Sequence, residues 1–224
     1  MSPAPATETS WAELLAHPEV VERTSLGSRF GFMAFHAGLE AGTLEVAELA
    51  ATATGASLYT LTQPASLRWH VPSAEVDPAG SEALAEFLVH VTVVVAVHGY
   101  GRRARPYDVL VGGGNRSLAT HVGDRLRARL TEFAVVDDIG AIPVELRGLH
   151  PGNPVNRPAG GGVQLELPPR ARGAWRPAEE QHLPYVPPAE LVEALVDAAR
   201  TWPLPMANPV APATAATPNG APAE

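Results

Sequence analysis

Val91-Thr92-Val93-Val94-Val95-Ala96-Val97-His98 is the longest β-branched apolar run of this chain. Its length and bulky apolar content are those of a buried β-strand, and it ends in a histidine. Two further runs share this form: Phe32-Met33-Ala34-Phe35-His36 and Val163-Gln164-Leu165-Glu166. Each carries, at or near its end, a residue able to bind a metal or move a proton. In α/β folds the ends of such strands line one edge of the sheet, and ligands bind along that edge. His36, His98 and Glu166 are therefore expected together there. Glu40, in His36-Ala37-Gly38-Leu39-Glu40-Ala41-Gly42-Thr43, offers a second carboxylate within reach of the same point. Two histidines and two glutamates meet the needs of a hydrolytic zinc site: three protein ligands, an open position for water, and a base.

On either side of these runs, strands alternate with helices. The pattern predicts an N-terminal helix over residues 7–24, capped at Thr9-Ser10 and open to a break at His17-Pro18, then a strand from Arg29 to His36. An amphipathic helix follows from Gly42-Thr43 to Gly55, closed by glycine in the usual way. Extended segments are expected at Ser57–Leu61, Leu67–Val71 and Tyr107–Val111, with helices at Ser81–His90, Ser117–Phe133 and Pro188–Trp202. This alternation gives a single α/β domain, residues 1–202, with a largely parallel or mixed sheet and helices on both faces. From Pro203 the composition falls to Ala, Pro, Asn and Thr, so residues 203–224 are expected to be a disordered tail.

Composition narrows the chemistry. With 224 residues and 46% hydrophobic content the chain can bury one good core. Cysteine is absent, so any zinc must be held by nitrogen and oxygen, which favours a catalytic over a structural metal. A net charge of −8 argues against general nucleic-acid binding. The first residues lack the basic and apolar regions of a secretory signal, and no run reaches the length of a membrane span, so a soluble cytoplasmic protein, released by lysis if it acts outside the cell, is expected; a monomer is expected as well. All sixteen basic residues are arginine. Arg102, Arg103, Arg105 and Arg116 follow the His98 strand, either as solvated surface groups or as a basic rim suited to a carboxylate-rich substrate.

Each candidate also has a plainer reading. A lone histidine at a strand end is often a hydrogen-bonded structural residue; His36 and His98 gain weight as a pair. The spacing from His36 to Glu40 is common by chance, and Gly38 places it in a loop that Gly38 and Gly42 let fold tightly. Glu166 shares one strand face with Gln164, opposite Val163, Leu165 and Leu167, and that face is either solvated or part of a site. Gly112-Gly113-Gly114 lacks the features of a phosphate loop and reads as a turn. In the rigid polar loop from His150 to Arg157, Arg157 is a candidate for a substrate carboxylate or a developing oxyanion, with Arg116 as second choice. His150 is a candidate for substrate binding. His17, His90, His121 and His182 read as surface residues.

The order of these motifs, with Trp69-His70-Val71-Pro72-Ser73, Val97-His98-Gly99, Asn156-Arg157 and Gly162-Val163-Gln164-Leu165-Glu166-Leu167, resembles the poly-γ-glutamate hydrolase family of phages and bacteria from about Phe30 to Arg172. The resemblance implies a zinc carboxypeptidase-like fold, with zinc held by His36, Glu40 and His98. It makes Glu166 the general base, gives His70 and Arg157 substrate-side roles, and implies cleavage of γ-glutamyl amide bonds in a polyanionic peptide. The first motif is shorter here than in the phage enzymes, and Ala37 stands where they have glycine, so its loop must turn more tightly. The alternatives are a zinc carboxypeptidase or N-acyl amino-acid deacylase, and an inactive binding protein of the same fold.

Overall fold

The computed structural model describes residues 6–180 and 182–204. Thr7–Glu8 forms a short strand (β1), and Trp11–Ala16 a helix (α1). Ser10 caps that helix, accepting from Glu13 N–H while the Glu13 carboxylate accepts from Ser10 N–H; such a capping box contributes about 1 kcal/mol. The single helix expected over residues 7–24 is not found. It stops at His17, before Pro18, and Val21–Ser25 forms β2, an edge strand antiparallel to β4 (Ala56–Thr62).

The remaining order is β3 (Ser28–Ala37), α2 (Thr43–Thr54), β4, β5 (Trp69–His70), α3 (Glu82–His90), β6 (Val93–Gly99), β7 (Asp108–Val111), α4 (Arg116–Arg129), β8 (Ala134–Val136), β9 (Gly162–Leu167) and α5 (Ala189–Thr201). Strand β8 has no signature in the sequence, because three residues carry too little pattern to separate from a loop. The main sheet runs β2-β4-β3-β6-β9-β7-β8. Its centre, β4-β3-β6-β9, is parallel, and β7 joins β9 antiparallel. The chain passes from β3 through α2 to β4 on one side, then returns to place β6 on the other side of β3. The strand order therefore reverses between β3 and β6, and the crevice beyond their C-terminal ends is where such a sheet takes ligands.

Alternation sorts the core into two layers. Phe30, Phe32, Val95, Val97, Val163 and Leu165 pack with α2, α4 and α5. Met33, Phe35, Val94 and Ala96 face α1 and α3 on the other side. The expected mixed sheet with helices on both faces is thus the fold observed. Residues 205–224, most of the segment expected to be a disordered tail, lie outside the described residues. Leu204, inside that segment, packs against the core. No helix among the described residues is long and apolar enough to cross a membrane.

Candidate metal and catalytic site

The site grows from the C-terminal ends of β3, β6 and β9. On β6 the residues after Val94 and Ala96 put His98 on the α1/α3 side. On β9 the same two-residue period puts Gln164 and Glu166 there, with His98 and Glu166 directly paired across the strands. Strict alternation along β3 would send His36 to the opposite side, with Phe32 and Ala34. The pairing of β3 with β4 shifts register between Ala34 and Ala37, the kind of irregularity that re-aims a side chain. The His36 ring lies 5.0 Å from that of His98, and Phe35 meets both rings edge-on.

The loop after β3 does turn tightly. Glu40 N–H donates to His36 C=O at 2.9 Å, and Gly38 adopts a φ of 85° that would strain a side-chain-bearing residue. A Cβ at Gly38 would also fall 1.8 Å from the Gln63 carbonyl oxygen, so the loop lies against the backbone after β4. Glu40 then spans the two histidines: Oε1 is 3.0 Å from His36 Nδ1, Oε2 is 3.4 Å from His98 Nδ1, and Oε2 accepts from Gly99 N–H at 2.9 Å. Arg172, buried behind this loop, donates to the carbonyls of Ala41 and Leu167.

The electrostatics follow from burial and from this bridge. Burial would raise the Glu40 carboxyl, but the two histidines outweigh it and hold it well below the usual carboxylate range. Burial would lower His36, yet the charge and hydrogen bond of Glu40, helped by the Val71 carbonyl, hold it above its ordinary value. Glu166 is pushed up to about 7, chiefly by burial and secondarily by the charge of Glu40, against the pull of His98, Gln164 and Arg172. His70 is lowered by burial and by its neighbours His36 and His98.

Three observations fit a metal to this cluster. The donor atoms of His36, Glu40 and His98 all lie within 4.8 Å of one another. His36 Nε2 is 2.9 Å from the Val71 carbonyl, which can only accept, so Nε2 carries the hydrogen. The neutral ring then turns a lone pair at Nδ1 toward a carboxylate oxygen, a pairing that requires a shared cation, either a proton or a metal ion. Finally, Glu40 Oε2 lies 3.4 Å from His98 Nδ1, so the same carboxylate faces an imidazole nitrogen on each side. Two imidazoles and a carboxylate are the donor types of a catalytic zinc site.

A cavity of about 520 Å³ opens onto the cluster. His36, Glu40, His98, Glu166, His70 and His150 all line it. The His70 ring stands 5.1 Å from that of His36, and His150 Nδ1 accepts from Gly152 N–H at 3.0 Å. Arg116 and Arg157 are not among the lining residues. Arg116 donates instead to the carbonyls of Val111, Gly113 and Asp137, stitching the start of α4 to the sheet. Arg157 is exposed. The expected basic rim is also reduced, since Arg102 pairs with Glu145 and Arg105 with Asp108. His121, expected as a surface residue, has Nε2 3.1 Å from the Ala198 carbonyl and so links α4 to α5.

Sequence reasoning did not single out Gln164, Asn153 or Tyr100, which also line the cavity, nor Arg172 beneath it. Gln164 had a signal, the strand face it shares with Glu166. Asn153 and Arg172 had none, because their places depend on loops that meet only in the folded chain.

The ends of the central parallel strands thus gather a His-Glu-His donor set beside a buried carboxylate, the residue types that metal-assisted hydrolysis uses. The family model described as poly-γ-glutamate hydrolase matches residues 9–176, and the chain belongs to that family. Among solved structures, a bacteriophage poly-γ-glutamate hydrolase is similar at 24% identity, with a TM-score of 0.67 over 81% of this chain and 88% of that one. A protein designated YNDL, in a zinc-free apo form, is similar at 20% identity, with a TM-score of 0.61 over 82% of this chain and 90% of the other. The mixed α/β fold is thus shared with these two proteins. No curated protein gives a significant match.

Proposed function

We propose that this member of the hydrolase family is zinc-dependent and cleaves γ-glutamyl amide bonds of poly-γ-glutamate or related γ-glutamyl peptides. The observation that carries the reading is the meeting of His36, Glu40 and His98 with buried Glu166 in one cavity. The Nδ1 atoms of His36 and His98 and the Glu40 carboxylate would hold the metal. When bound there, zinc supplies a Lewis acid and lowers the pKa of a water toward neutrality. Glu166 accepts the proton of the attacking water and returns it to the leaving amide nitrogen. Burial favours the protonated form of this carboxyl, so it can hold the proton between the two transfers. His70 and His150, on the cavity wall, offer ring N–H groups to substrate carboxylates.

The test is incubation of zinc-loaded protein with poly-γ-glutamate, followed by chain length on a gel. Shortened polymer from the wild type, and intact polymer from the chelated protein, is the expected result. Release of single residues from an otherwise long polymer would favour a terminal-cleaving carboxypeptidase. Binding without cleavage would favour the inactive member of the same fold.

A further inference from the structure

Glu166 does not sit in its site alone. Gln164 Nε2 donates to Glu166 Oε1 at 2.8 Å, and Asn153 Nδ2 donates to Gln164 Oε1 at 2.7 Å. The exposures of Asn153, Gln164 and Glu166 are 2%, 4% and 4%, so none can exchange these partners for bulk water at small cost. The direction of the chain is fixed from its far end. Val155 N–H, which can only donate, is 3.1 Å from Asn153 Oδ1. Asn153 must therefore present its amino group to Gln164, and Gln164 must present its own to Glu166. A backbone amide thus sets the orientation of two side-chain amides and, through them, of one carboxylate.

The surroundings are shaped for this chain. Gly148 crosses Gln164 so closely that a Cβ there would lie 2.6 Å from Gln164 Oε1, and its φ of 64° is one that L side chains rarely adopt. Asn156 Nδ2 donates to the carbonyls of Gly148 and His150, holding that loop over Gln164.

We propose that Gln164, itself held by Asn153, is a positioning residue that commits Glu166 Oε1 to accepting a hydrogen bond and leaves Oε2 for the chemistry in the cavity. This rests on the reading of Glu166 as the proton-transferring group. A carboxylate free to rotate would present either oxygen at a range of angles, whereas one held at Oε1 presents Oε2 in one orientation, and such supporting contacts are worth about 10- to 100-fold in activity.

Two measurements test it. The first needs no substrate: in ¹⁵N-labelled protein, the Gln164 side-chain NH₂ should be protected from exchange, its shift should move in Glu166→Ala, and protection should fall in Asn153→Ala. The second is kinetic. Gln164→Ala should lower kcat on poly-γ-glutamate by about 10- to 100-fold with KM and zinc content near wild type, in a protein that is still folded at the assay temperature though less stable for the buried partners it strands, and Asn153→Ala should reduce the same parameter. The double variant should be little worse than Gln164→Ala, as expected for members of one chain. A freely exchanging Gln164 amide, an unchanged kcat, or a loss confined to KM would each overturn the proposal, the last making Gln164 a substrate contact. If the wild type cleaves no poly-γ-glutamate, the proposed substrate falls, while the exchange measurement still decides whether Gln164 holds Glu166.

Discussion

His98 and Glu166 are paired residues on adjacent parallel strands, β6 and β9. Because paired residues of a sheet point to the same side, a donor from one strand and a carboxylate from the next are held side by side by backbone hydrogen bonds. The distance between the proposed metal ligand and the proposed proton-transferring group is thereby set by the central strands of the sheet, and loops supply only Glu40 and the cavity wall.

This pairing makes Glu166→Gln the most informative single change. The variant keeps the shape of the side chain but cannot accept a proton. It should fold and bind zinc as the wild type does and lose about 10²- to 10⁴-fold in turnover. Loss of zinc along with activity would instead make Glu166 a ligand.

Metal content tests the other three residues. Purified, reconstituted protein should hold about one zinc per chain, the capacity of a single three-ligand site. His36→Ala, His98→Ala and Glu40→Ala should each abolish tight binding, read by elemental analysis after dialysis. A Glu40→Ala protein that retains its zinc would remove Glu40 from the ligand set.

Stability of the metal-free protein should fall as pH rises. Glu166 is raised from 4.5 to about 7, so the folded state holds a proton across that interval that the unfolded state has released. His36 is raised above 6.5, so its stabilisation is complete below 6.5 and is lost as pH climbs through its folded value. Both favour the folded state at lower pH. Glu40, held below 4.5, acts oppositely: its contribution is present above 4.5 and lost as pH falls further. His70, held below 6.5 by burial, opposes this as it loses its proton, but the Glu166 shift is the larger, so the melting temperature of chelated protein should decline between about pH 4.5 and 7. Added zinc, whose ligands bind it deprotonated, should flatten or reverse that decline. A flat or rising profile without metal would count against the raised values.

The two arginines first read as substrate contacts should separate by stability. Arg116→Ala strands the carbonyls of Val111, Gly113 and Asp137 and should cost about 1–3 kcal/mol in chemical denaturation. Arg157→Ala, at an exposed position outside the cavity lining, should change stability by no more than about 0.5 kcal/mol and leave kcat intact. A large fall in kcat for Arg157→Ala would return it to the reaction.

The α/β class, the three strands that carry His36, His98 and Glu166 near their ends, and the face shared by Gln164 and Glu166 are legible in the chain alone. Those features are written in local apolar runs and in the two-residue period of a strand, which need no knowledge of distant neighbours. What the sequence could not determine was the side on which His36 would lie, since alternation alone sends it away from His98. That was decided by the register shift between Ala34 and Ala37, which arises from pairing with β4. Likewise, Asn153 reaches Gln164 across eleven residues, and Arg172 reaches Ala41 from the far end of the domain. Burial and partners of this kind are properties of the packed whole, so only the tertiary structure could turn a list of candidate ligands into one site with a held carboxylate at its centre.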